Sequence, residues 1–295
     1  MNKKFIRIIK KIIRYKLDFL LKIKERIIQK IFLLPFINKP FPKKPFGDKP
    51  QASADHYLKI HKNALENENK KVIQFEKEIG FSINKEWFHK VSLITQTCVK
   101  NSDLNFNHGR ILYCLFCRYV EDNIKSKDSN ITILETGTAR GFSSLCLSKA
   151  INDQNIKGKV ITLDCIPHNQ KMFWNCIEDS KGEKSREELL GHWEKELSNI
   201  IFIQGWTTKT LKNLGLNRIN FAFLDAQHSK EAVLEEFEFI YERQKINDII
   251  FFDDVTPDLF QGVCEAVKEI SKNYPYTIKY LDFDRNRGYA LAIRV

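Results

Sequence analysis

Residues 3–34 carry many apolar side chains, but charges recur every few residues, so no uninterrupted apolar span reaches the length a transmembrane helix needs. The same segment has no compact apolar core ending in a small-residue cleavage site, and a secretory leader is not expected. It also has no Ser, uses Lys more than Arg and includes Asp18 and Glu25, which argues against a mitochondrial presequence. The chain lacks a disulfide framework: its seven cysteines (Cys98, Cys114, Cys117, Cys146, Cys165, Cys176, Cys264) are odd in number and lie mostly in apolar segments. Reduced core thiols and a cytoplasmic setting are expected. Cys114 and Cys117 have no second pair and no flanking His at zinc spacing, which argues against a metal or redox role. Outside one tail, excess charge is missing too. Residues 1–50 hold 15 Lys/Arg against 3 Asp/Glu, whereas the formal net charge of the whole chain is +11, so the remaining residues sum to −1. Basicity belongs to the tail, and a nucleic-acid footprint spread over the whole protein is not supported.

What is present centres on residues 131–150, ITILETGTARGFSSLCLSKA. A short β-branched and apolar run (131–134) turns through Glu135-Thr136-Gly137-Thr138-Ala139-Arg140-Gly141 into a segment with Phe142, Leu145, Cys146 and Leu147 at helical spacing, giving strand, glycine loop, helix. Glycines there let the backbone approach a ligand, and the new helix offers free N–H groups. A nucleotide-like cofactor follows, although the three-glycine spacing of the dinucleotide fingerprint is missing. The acid-led E-T-G-T-x-x-G-F-S-S resembles the first motif of class I S-adenosylmethionine-dependent methyltransferases, with Gly137, Thr138, Gly141 and Ser143 implied as cofactor contacts. Glu135 is placed either to orient the glycine turn or to meet the cofactor's ammonium.

Four regions are expected along the chain. Residues 1–34 form a basic amphipathic helix, suited to an anionic membrane surface or to docking on a partner, including a second copy in a homo-oligomer. Residues 35–50 hold five of the eight prolines and read as a stiff linker. Residues 51–130 form a helical preface, with Thr95-Gln96-Thr97 and Asn107-His108-Gly109-Arg110 as polar breaks that either cap helices or line the cofactor pocket. Residues 131–295 alternate strand and helix, with strands at 131–134, 160–164, 200–204, 219–225 and 248–253 and a closing hairpin at 276–282 and 288–295. The fold class is α/β: a Rossmann-like, doubly wound, mostly parallel seven-stranded sheet with an antiparallel last strand.

In such sheets ligands sit beyond the carboxyl ends of the strands. Acids collect there: Glu135, Asp164, Asp225, and Asp253 with Asp254. Asp164, at the end of the second strand, suits a ribose contact or a loop carboxylate. Asp225, Asp253 and Asp254 at one edge would repel one another unless protonated or bound to a cation, and all-oxygen ligation suits Mg²⁺ or another divalent ion. His228 follows Asp225 by three residues, and with a reference pKa of about 6.5 it suits a general base near neutral pH.

Leu224-Asp225-Ala226-Gln227-His228-Ser229 and Phe251-Phe252-Asp253-Asp254-Val255 resemble the metal-dependent O-methyltransferases, in the branch of the macrocin-type enzymes and the cephalosporin-hydroxylase-like proteins. The resemblance implies Asp225, Asp253 and Asp254 as metal ligands, Asp225 also as a cofactor contact with Glu135 and Asp164, His228 as base, Gly205 and Trp206 on the adenine side, and methyl transfer to a hydroxyl of a small-molecule or glycan-like acceptor. Ala226 stands where relatives often have glycine. Two other readings are an NAD(P)-dependent oxidoreductase and a non-catalytic, membrane-associated scaffold on the same fold. Residues 165–199, rich in aromatics and charges, exceed an ordinary connection and read as a substrate lid or as extra helices packed on the sheet.

Overall fold

The computed structural model describes residues 44–284 and 287–295; the basic helix expected over 1–34 and residues 35–43 of the linker lie outside the described residues. Residues from Phe46 to Val295 form one compact unit. It opens with four helices: α1 (Ala54–Glu66), α2 (Lys70–Ile79), α3 (Lys85–Thr95) and α4 (Asn107–Asn123). Side chains of Ser53, Asn69 and Asn84 accept backbone N–H groups of the first turns of α1, α2 and α3, the ordinary remedy for unpaired helix donors. Thr95 and Thr97 donate their hydroxyls to the carbonyls of Val91 and Ser92, so the 95–97 break closes α3. Arg110, in the second polar break, donates to Glu76 and Glu68, tying α4 to α2.

The sheet follows as β1 (Ile131–Thr136), α5 (Phe142–Asp153), β2 (Gly158–Asp164), α6 (Arg186–Leu190), α7 (Glu194–Leu197), β3 (Ile200–Gln204), α8 (Thr207–Thr210), β4 (Phe221–Leu224), α9 (Lys230–Tyr241), β5 (Ile249–Phe252), α10 (Gln261–Asn273), β6 (Tyr276–Asp284) and β7 (Arg287–Arg294). Strand order is β3-β2-β1-β4-β5-β7-β6. The first five strands are parallel, and β7 enters antiparallel between β5 and β6. The expected class therefore holds, with strand limits within about two residues of the sequence reading.

The parallel strands are apolar throughout because helices cover both faces. On one face Leu134, Leu163, Leu224 and Phe252 pack against Val233, Phe237, Val263 and Val267 of α9 and α10. On the other, an aromatic ladder crosses three strands: His108 stacks on Phe223, Phe223 on Phe251 and Phe251 on Tyr289, with ring centroids 6.3, 5.9 and 5.3 Å apart. Residues 165–199 are the extra helices rather than a free flap. Met172, Trp174, Leu189, Leu190 and Trp193 are buried, and the Asn175 side chain bonds both the N–H and the carbonyl of Val99 at 2.9 Å.

All seven cysteines are free, and those at 114, 117, 146, 176 and 264 are buried. Among the described residues, no helix is long and apolar enough to cross a membrane. Phe223→Ala, which removes the middle of the aromatic ladder, should lower stability by about 3–5 kcal/mol in denaturant unfolding, the usual loss for a buried phenylalanine.

Candidate active site

β1 ends in Thr136, and Gly137 takes φ +92°, a conformation most side chains resist. A Cβ on Gly137 would lie 1.9 Å from the carbonyl oxygen of Asp225, so glycine here also lets the first loop lie against the end of β4. The Gly137 N–H bonds to Leu163 O at 2.9 Å, and the Asp225 N–H to Thr136 O at 3.0 Å. The glycine loop and the acid are thereby fixed to each other by backbone. Gly141, at φ +90°, starts α5.

Asp164 sits at the end of β2 beside that loop. Its Oδ2 accepts the Ala139 N–H at 2.6 Å and its Oδ1 the Ile166 N–H at 2.8 Å. Thr138 shares a hydroxyl bond of 2.6 Å with Thr162 on β2. Glu135 points beneath the loop: it is fully buried, accepts the Ser144 hydroxyl through Oε2, and its Oε1 has no hydrogen-bond partner. Burial pushes its carboxyl up, while the hydroxyls of Ser143, Ser144 and Thr162 hold it back. Ser143 is buried in the first turn of α5, on the Glu135 side.

The adenine-side segment follows β3. Gly205 N–H bonds to Asp164 O at 2.8 Å, Trp206 precedes the short α8, and the Thr207 hydroxyl bonds to Glu236 of α9. Thr136, at the tip of β1, donates to the other oxygen of Glu236 at 2.8 Å. This buried acid ties the tip of β1 and the segment after β3 to α9.

The acid cluster forms at the ends of β4 and β5. One ligating atom each from Asp225, His228 and Asp254 lies within 4.8 Å of the others. His228 Nε2 stands 3.1 Å from Asp254 Oδ2, close enough for an ion pair although not aligned as a hydrogen bond. The Phe260 ring lies over the imidazole, with centroids 4.4 Å apart. Asp253 is not in this group. It is buried, its Oδ1 accepts the Asp254 N–H at 2.7 Å, and its Oδ2 has no hydrogen-bond partner. Asp254 takes φ +55°, which turns its carboxylate to the His228 side. Burial first, and then the neighbouring acids, push the carboxyls of Asp225 and Asp253 above the usual range.

Sequence reasoning missed one participant. Arg287 of β7 places Nη1 3.4 Å from Asp254 and 3.8 Å from Asp253, a positive charge built into the acid site. It supplies part of the balance that the sequence left to protonation or a bound cation. The carboxylates of Asp225 and Asp254, with the His228 imidazole in reach, nevertheless suit a divalent cation.

Residues 134–255 match a family model described as "Methyltransferase domain" (Methyltransf_24). No curated protein matches the chain. Among solved structures, the O-methyltransferase TomG of Streptomyces achromogenes, involved in tomaymycin synthesis and solved in complex with SAM, is similar at a TM-score of 0.51 and 17% identity, covering 78% of this chain and 98% of its own. The O-methyltransferase NovP is similar at a TM-score of 0.50 and 12% identity, covering 82% of this chain and 100% of its own. The cofactor-bound protein Rv0187 from MTB gives 0.50 and 16%, covering 71% and 90%. At such identities the likeness establishes the fold alone, a Rossmann-like methyltransferase fold, within which residues 134–255 match the methyltransferase-domain model.

Burial pushes the Glu236 carboxyl up to about 7, against the pull of the Thr207 and Thr136 hydroxyls. An acid raised on folding favours the folded state fully below its unfolded pKa and loses that advantage as pH rises through the folded value. Glu236→Gln should therefore match the parent protein in stability at pH 4. It should gain on it between about pH 4.5 and 7 and stay ahead above that, by on the order of 1–3 kcal/mol in urea unfolding.

Proposed function

We propose that this protein is an S-adenosylmethionine-dependent O-methyltransferase, assisted by a divalent cation, acting on a hydroxyl of a small-molecule or glycan-like acceptor. The observation that carries the reading is the convergence of Asp225, His228 and Asp254 beside the glycine loop, within the segment that matches the methyltransferase domain. The names of TomG and NovP as O-methyltransferases support the class of acceptor atom.

Asp225 and Asp254 would hold the cation, with Asp253 behind them fixing the Asp254 backbone. Gly137, Thr138, Gly141 and Ser143 would border the cofactor, Asp164 its ribose, and Gly205 and Trp206 its adenine. When bound, the cofactor supplies an electrophilic sulfonium methyl, and the cation supplies Lewis acidity that eases loss of the acceptor's proton. His228 takes that proton from the acceptor hydroxyl. It is half-exposed, so an acceptor can reach it, and the Asp254 carboxylate beside it stabilises the imidazolium formed. The Phe260 ring fixes the imidazole plane. The glycine loop and the β4 end, bound to each other through Gly137 and Asp225, hold methyl donor and acceptor in register, and such positioning supplies much of the rate in transfers of this kind. The basic, amphipathically patterned segment 1–34 would keep the enzyme at an anionic membrane surface, peripheral and cytoplasmic.

Calorimetric titration of the full-length protein with S-adenosylmethionine, with and without Mg²⁺, tests the core of this reading. Binding should be micromolar, and a direct metal signal should vanish in Asp254→Asn; absence of cofactor binding under both conditions would overturn it. His228→Ala should bind cofactor and metal normally and lose turnover by about 10²–10⁴-fold. Loss of metal binding in that variant would make His228 a ligand instead.

A further inference from the structure

Residues 165–199 exceed an ordinary connection, and the proposed chemistry uses none of them. They meet the glycine loop at three successive residues, through two buried side chains and one backbone carbonyl. Arg186, 2% exposed, donates Nε to Ala139 O at 2.9 Å. The Trp174 carbonyl accepts Arg140 Nε at 2.5 Å. Leu190 abuts Gly141, where an added Cβ would come within 2.8 Å of its Cδ1.

The Arg186 contact is part of a closed frame. Asp164 accepts the N–H groups of Ala139 and Ile166. Arg186 donates to the carbonyls of those same two residues, Nη1 reaching Ile166 O at 3.3 Å. Its Nη2 lies 3.9 Å from Asp164 Oδ2 and has no hydrogen-bond partner. Charge and backbone thus meet around two peptide segments, one in the glycine loop and one after β2. The guanidinium is held over the rings of Trp174 and Phe202, 5.6 and 5.8 Å from their centroids. Trp174 is itself anchored through its N–H to Asp179 and its indole N–H to Lys184 O.

Ala139 needs such a frame. It takes φ +46°, a left-handed conformation that a non-glycine residue keeps only when its surroundings impose it. Both its N–H and its carbonyl are committed, one to Asp164 and one to Arg186.

We propose that residues 165–199 are a clamp on the cofactor loop, with Arg186 as the positioning residue that holds Ala139 and Asp164 in the cofactor-binding shape. The consequence for affinity rests on the S-adenosylmethionine reading above; the consequence for loop order does not. Arg186→Met keeps the aliphatic stem and removes the frame, whereas Arg186→Lys restores a charge with fewer fixed donors. Leu189→Ala, at a buried position of the same insertion, weakens packing while keeping every donor and acceptor of the frame.

Two measurements on the full-length variants decide the matter, at a temperature where melting curves show each folded. In amide hydrogen exchange without ligand, Arg186→Met should exchange faster at 139–141 and 166 while β4 and β5 stay protected, and Leu189→Ala should leave 139–141 as in the parent. In titration with S-adenosylmethionine, Arg186→Met should weaken binding at least about tenfold, Arg186→Lys should recover part of it, and Leu189→Ala should bind as the parent does. Parent-like exchange at 139–141 in Arg186→Met, or the same losses in Leu189→Ala, would overturn the clamp. A parent protein that fails to bind the cofactor would count against the methyltransfer reading alone, and the exchange result would still stand.

Discussion

Negative charge gathered at the carboxyl ends of two neighbouring strands is the constraint on which the rest of the structure depends. Asp225 ends β4, Asp253 and Asp254 end β5, and desolvation at that depth makes unbalanced ionisation costly. The chain answers with backbone ties and one fixed cation. The Asp253 carboxylate accepts the next residue's N–H, and Arg287 approaches both acids of the pair. The loop after β5 is stitched to the start of β7 by Val255 N–H to Gly288 O and by Gly288 N–H to the Thr256 hydroxyl. The position of β7 in the sheet is therefore a condition of the acid site as well as of the fold.

Among the described residues that adopt left-handed backbone without being glycine, Ala139 and Asp254 lie in the loops that follow β1 and β5. Each is held where a side chain or carbonyl has to face a particular way. Asp254 turns to His228 instead of following Asp253 inward, and Ala139 bends the loop between Thr138 and Gly141. Strain of this sort persists only where neighbouring bonds over-determine it, and here those bonds come from Asp253, Asp164 and Arg186.

The parts of this architecture that follow from period and punctuation were legible in the sequence. ITILET, INFAFLD and DIIFFD read as buried strands because β-branched and aromatic residues run between polar ends, and two glycines around a short polar stretch announced the loop. Acids closing successive strands were expected to gather at one end of the sheet, and Asp225 and Asp254 do meet there. What stayed hidden depends on contacts between distant segments. Arg287 looked like one charge in a polar turn, yet it reaches acids more than thirty residues earlier. Arg186 lay in an insertion with no clear periodicity, and Glu236 resembled any acid on the polar side of α9, although it is 1% exposed. Asp253 and Asp254 seemed equivalent because adjacency in sequence says nothing of which way each side chain turns, and a strand sends neighbours to opposite sides.

The insertion of β7 between β5 and β6 carries a consequence for the order of assembly. Strands β1 to β5 can pair as each follows the last, but the outer edge of β5 has no partner until a strand made after β6 returns to it. Until then the β5 backbone presents open donors and acceptors, and the acids at its tip lack the guanidinium that faces them in the finished fold. Docking of the closing hairpin thus seals a sticky edge and neutralises a charged one in the same event. An unfinished or unravelled chain would display both hazards together, which makes this hairpin the natural place for a chaperone to guard and for salt to alter the rate of folding.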